Sequence, residues 1–218
     1  MARKVSASDL PDILPVFPLS GALLLPNAHL PLRIFEPRYI AMLEDVLKTP
    51  ERLIGMIQPL ATPEGKPDSE LHRIGCAGRV ISFNEAEDGS YRIMLLGVSR
   101  FRLLGQIEGF SPYLRADVDW TSFTADLGKT PPDEGFDREA FLATLEQYLS
   151  INSLSSDMDT LRDADEELLV NSLAILNPFA AEEKQALLEA PTLANRRETL
   201  MMLMEFALKD KAGKGSLQ

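Results

Sequence analysis

Residues 14–43 read LPVFPLSGALLLPNAHLPLRIFEPRYIAML, a run of large apolar side chains broken repeatedly by proline. Pro15, Pro18, Pro26, Pro31 and Pro37 fall inside it, and Pro11 lies just upstream. Proline cannot donate to a sheet ladder, so strands built here are edge-like or interrupted. Leu30, Leu32 and Ile34 alternate onto one face of such a strand. Pro37 then suits the first turn of a helix, where a missing N–H costs nothing. Tyr39, Met42, Leu43, Val46 and Leu47 recur at helical spacing, and Thr49–Pro50 closes that helix.

The strand signal continues downstream. Residues 53–57 (LIGMI) form a short apolar run between Pro50 and Pro59, as expected of a buried strand. Residues 74–83 and 91–98 flank Asn84–Ser90, which contains Asp88–Gly89, and predict a long hairpin with a polar tip. Alternation persists through 100–103 and through 113–120, where Leu114, Ala116, Val118 and Trp120 point inward. Residues 121–136 are polar, hold Pro131–Pro132 and Gly135, and read as a linker. The period then becomes helical. Phe141, Leu142, Leu145, Tyr148 and Leu149 make one stripe; Leu168, Leu169, Leu173 and Leu176 make a second. A short helix over 181–189 ends before Pro191, and Thr192 caps a last helix carrying Leu193, Leu200, Met201, Met204 and Leu208. The expectation is an α+β chain: a β-rich domain over 10–120, a linker over 121–136, a helical bundle over 137–209 and a flexible tail over 210–218.

Composition excludes several classes. With 218 residues, 45% hydrophobic and 25% charged, the chain reads as globular rather than disordered. No run of about 18 apolar residues predicts a membrane helix, and MARKVSASDLPD lacks the apolar core of a secretory signal. One cysteine, Cys76, suits a reducing cytoplasm, and with two histidines it leaves no Cys/His zinc cage. Residues 1–109 hold 12 basic and 13 acidic side chains, whereas 110–218 hold 10 and 20, so the second half carries most of the net charge of −11. Such a surface repels phosphate backbones and disfavours nucleic acid.

Individual motifs point to no chemistry. Gly128–Lys129–Thr130 resembles the end of a phosphate loop, but Phe123 stands where that loop needs glycine, and Pro131–Pro132 replaces the required helix. Asp157, Asp159, Asp163 and Asp165 are dense enough for calcium, yet Arg162 and Leu168 occupy the positions of the loop glycine and glutamate. Helix capping explains these carboxylates more simply. Neither His29 nor His72 sits in a nucleophile motif, and Cys76 falls in a predicted strand where a buried thiol is inert. No cofactor and no metal is expected.

The quoted stretch, with IGCAGRVISF (74–83), DGSYRIMLLGVSRFRLL (88–104), PYLRADV (112–118), LLVNSLAIL (168–176) and EKQALLEAPTLANRR (183–197), resembles the Lon protease N-terminal, or substrate-binding, domain family. The same domain occurs in cereblon and in stand-alone bacterial proteins, and IFEPRY (34–39) looks most like those branches. The resemblance implies a PUA-like β-barrel with one early helix, followed by a helical bundle. It implies a non-catalytic role in recognising substrates, because the ATPase and Ser–Lys peptidase modules of the full protease lie beyond the matching region. It assigns structural roles here: Glu36 caps the helix opened by Pro37, Arg38 and Tyr39 sit in its first turn, Arg100 and Arg102 face outward, and Gly75, Gly78 and Gly97 mark bends or close passes.

These readings converge on a binding module for unfolded or extended protein segments, acting with a protease or its substrates. Phe17, Leu19, Leu24, Leu25 and Phe35 are the expected binding surface, since proline-interrupted apolar loops leave hydrophobic surface uncovered. Two other readings stay open: an adaptor for one folded partner, and an enzyme or small-molecule binder using the barrel mouth.

Overall fold

The structure, a computed structural model, describes residues 9–60 and 70–215, with side chains through Lys211. The basic start of the N-terminus and the last residues of the expected tail lie outside the described residues. The chain divides into two units, Met1–Lys129 with Phe179–Leu188, and Thr130–Pro178 with Glu189–Gln218.

Up to Asp119, the described residues of the first unit form six strands and a helix: β1 (Ile13–Pro18), β2 (His29–Ile34), α1 (Pro37–Leu47), β3 (Leu53–Ile57), β4 (Ile74–Glu85), β5 (Tyr91–Ile107) and β6 (Leu114–Asp119). The strand order is β2-β5-β4-β3-β1-β6, and β6 pairs back onto β5. Five strands thus close a ring, the expected barrel, with β2 as an extra strand on the N-terminal half of β5. Among the described strands β1 and β3 run parallel and the other pairings are antiparallel. β5 reaches three partners because it is 17 residues long. The predicted hairpin turns at Gly89, whose φ of +75° only glycine adopts freely.

Phe101 is fully buried in the barrel, among Leu14, Val16, Leu53, Ala77 and Trp120. Its ring explains two glycines. A Cβ on Gly75 would lie 2.4 Å from Phe101 Cζ, and one on Gly55 would lie 3.1 Å from it. Burying one such aromatic contributes about 1.5–3 kcal/mol.

Three features of this unit depart from the sequence reading. Residues Thr121–Leu127 form a 3-10 helix rather than open linker; Phe123 is buried and Leu127 packs on the barrel core. Arg100 is buried rather than outward. Its guanidinium donates to both oxygens of Asp126 at 2.9 and 2.8 Å and to the Leu188 carbonyl at 3.2 Å, and it lies 4.7 Å from the Phe123 ring centre. The outer face of β5 is covered there, so its alternation no longer reports exposure. Helix α5 (Ala181–Glu189) clusters through Leu188 with the barrel unit, not with the bundle. Gln58 donates to the Ala181 carbonyl and to Gln185, Gln185 donates to the Ile74 carbonyl, and Lys184 donates to the Gly21 carbonyl.

The second unit contains α2 (Arg138–Ile151), α3 (Met158–Asp163), α4 (Glu166–Leu176) and α6 (Leu193–Gly215). The acidic residues cap helices: Asp137 accepts from the Ala140 N–H, Asp157 from Asp159 and Thr160, and Asp165 from Leu168. Among the described residues no cluster of three His, Cys, Asp or Glu could hold a metal ion. The stripe of α4 is Leu169, Val170, Leu173 and Ala174; Leu168 and Leu176 are exposed, because those four already fill its buried side. Helix α6 continues to Gly215, past the expected start of the tail. No described helix is long and apolar enough to cross a membrane.

Candidate functional site

A groove of about 480 Å³ lies where the chain leaves β1, finishes β2 and enters α1. Phe17, Pro18, Leu19 and Ser20 form one side, Leu32 to Glu36 another, and Arg38, Tyr39 and Pro59 complete it. Its placement follows from local sequence. Pro18 ends β1, β2 turns Leu32 and Ile34 to the inner face, and Pro37 at the first helical position brings Arg38 and Tyr39 up beside them. The rings of buried Phe17 and Tyr39 meet at a centroid distance of 4.1 Å. Phe35 stands at the rim with 65% of its surface exposed.

Charge frames this apolar floor. Arg38 lies over the Tyr39 ring at 4.5 Å and donates from Nε to Glu36 Oε2 at 3.1 Å. Glu36 occupies the N-cap of α1, but its side chain makes no capping hydrogen bond; the helix start is bonded through its backbone carbonyl, which accepts from Tyr39 and Ile40. Arg33 reaches the hairpin tip, donating to Asp88 at 2.5 Å and to Ser90 at 3.2 Å. The hydroxyl and N–H of Ser90, and then Arg33, hold the Asp88 carboxyl below its ordinary pKa.

Of the five residues expected at the binding surface, the structure brings Phe17, Leu19 and Phe35 to the groove. Leu24 and Leu25 are not surface residues. They are 1% and 0% exposed, because their segment crosses the barrel over two glycines. A Cβ on Gly78 would meet Leu24 at 2.7 Å, and one on Gly97 would meet the Leu25 carbonyl at 1.9 Å. Glu36, Arg38 and Tyr39, read as structural, line the groove as well. Leu32 and Arg33 also line the groove, outside the expected surface; the alternation that places Leu32 inward places Arg33 outward. Asp126 was hidden in apparent linker, where Phe123 and Leu127 at helical spacing are the signal that a turn of helix packs.

A closed strand ring with an extra edge strand, joined to a helical unit, defines an α+β barrel-and-helix domain. The sequence matches the model of the ATP-dependent protease La (LON) substrate-binding domain over residues 13–205, and the chain belongs to that family. Among solved structures it is similar to a Lon N-terminal domain protein from Xanthomonas campestris, with a TM-score of 0.61 and 25% identity, covering 87% of this chain and 97% of that one. It shares its fold with the N-terminal domain of a Mycobacterium avium complex Lon protease, at a TM-score of 0.62 and 15% identity, covering 88% of this chain and 98% of that one. Lon protease 2 of Myxococcus xanthus is 26% identical over 210 residues, covering 92% of this chain and 24% of the relative. The Lon protease of Dictyoglomus thermophilum is 26% identical over 220 residues, covering 94% and 26%. The chain therefore spans about a quarter of the length of these curated relatives.

Proposed function

We propose that this chain is a non-catalytic protein-recognition module that holds unfolded or extended polypeptide in the groove between β1, β2 and α1, in the cytoplasm and in the service of a protease. The observation that carries the reading is Phe35, a large apolar side chain left 65% exposed beside the buried pair Phe17 and Tyr39. An aromatic at the lip of an apolar groove gains about 1.5–3 kcal/mol when a bound chain covers it. The family description supports the class of ligand. Fluorescence anisotropy with a labelled, reduced and carboxymethylated polypeptide tests it. Phe35→Ala is expected to weaken binding about tenfold, which corresponds to about 1.4 kcal/mol, at an unchanged melting temperature. Equal affinity in wild type and variant removes the groove from the function.

A further inference from the structure

The mode of binding at this groove, which rests on the function just proposed, follows from β2. It stands at the end of the strand order, and among the described residues only β5 pairs with it. Hydrogen-bonded and non-bonded pairs alternate along an antiparallel ladder. Pro31, opposite Met94, has no N–H to give β5 and takes a position facing the open edge. The same alternation turns the backbone groups of His29 and Arg33 to that edge, while Leu30, Leu32 and Ile34 bond β5. The Gly97 N–H, which donates to the Ala28 carbonyl at 2.8 Å, fits this phase.

The two faces beside the open edge differ in chemistry. The inner face is the apolar groove of Phe17, Leu32, Ile34 and Tyr39. The outer side holds a second concavity of about 490 Å³, where Arg33, Asn84 and Arg92 stand among apolar Leu32, Phe83 and Ile93. Arg33 and Arg92 are directly opposite each other in the register, a like-charge pairing that is unfavourable by itself. Asp88 neutralises Arg33. Exposed Arg92 has no ion pair among the described residues.

We propose that the open edge of β2 takes an added strand from the bound polypeptide, and that the preferred segment alternates apolar with acidic residues. Side chains of an added strand alternate between faces in step with β2. Those beside Leu32 and Ile34 enter the apolar groove; those beside Pro31 and Arg33 meet Arg92, the cation that Asp88 leaves uncompensated. Pro31 withholds one donor, which guards the edge against indiscriminate pairing and leaves selection to the side chains.

The test uses the full chain and labelled ten-residue peptides. A Leu/Glu alternating peptide is expected to bind at least tenfold tighter than a Leu/Lys peptide or a scrambled peptide of the same composition. N-methylating one set of alternate peptide amides is expected to abolish binding, while methylating the other set is tolerated, because only one set faces β2. Arg92→Glu is expected to reverse the Glu/Lys preference, and Pro31→Ala, which restores a donor, to tighten binding severalfold. Equal binding by both N-methylated peptides overturns strand addition; the groove reading survives that result if Phe35→Ala still weakens the carboxymethylated polypeptide. No binding of any peptide or polypeptide overturns both. A dimer in sedimentation that excludes peptide assigns the edge to a second copy and overturns the proposal.

Discussion

At Gly97 one missing methyl group decides the fold. The Asn27 N–H donates to the Gly97 carbonyl at 3.0 Å, and a Cβ would sit 1.9 Å from the Leu25 carbonyl oxygen. The obstacle is backbone, which cannot swing aside as a side-chain tip can. Gly97→Ala is expected to cost several kcal/mol or to prevent folding. Gly105→Ala, with nothing within 4 Å of the new atom, is expected to stay within about 0.5 kcal/mol. Urea denaturation of both variants checks the contrast. The need for glycine at positions 75, 78 and 97 is legible in the sequence as a need for close approach. Its partner is not. An apolar run such as Leu23–Leu25 reads equally well as lip or as core, and the glycines that make it core lie about 50–70 residues further on.

Among elements, the 3-10 helix over Thr121–Leu127 carries weight that its polar sequence conceals. Asp126 binds Arg100 through both carboxylate oxygens, and the Arg100 backbone N–H also donates to it at 2.9 Å. Both side chains are nearly buried. Arg100→Ala strands the carboxylate and is expected to cost about 3–5 kcal/mol, whereas Arg100→Met with Asp126→Leu recovers most of that loss. Denaturant midpoints of single and double variants measure the difference. Strands and helices were legible because their periods repeat over many residues. Exposure along β5 was not, since Ser99, Arg100 and Phe101 are buried in succession. Alternation tells which side a residue takes, not whether that side is later covered.

For the whole molecule, acid is the informative perturbation. Asp133, in the second unit, accepts from Arg197 Nε at 2.5 Å and from the Gly135 N–H. The guanidinium is the main reason its carboxyl titrates below the ordinary value. A depressed carboxylate stabilises the fold above its unfolded pKa of about 3.9 and loses that contribution as pH falls through and below it. The helical circular dichroism of wild type is therefore expected to lose stability below about pH 4, and Arg197→Gln to flatten that part of the profile. The path of the chain through the two units has a consequence for synthesis. The barrel's last strand ends at Asp119, but the helix that fills its polar network begins only at Ala181. A ribosome adding about 5–20 residues per second needs some seconds to span that gap. During that interval Gln58 and Arg100 lack their α5 partners, so the barrel's buried polar network is completed only once Leu188 has been made.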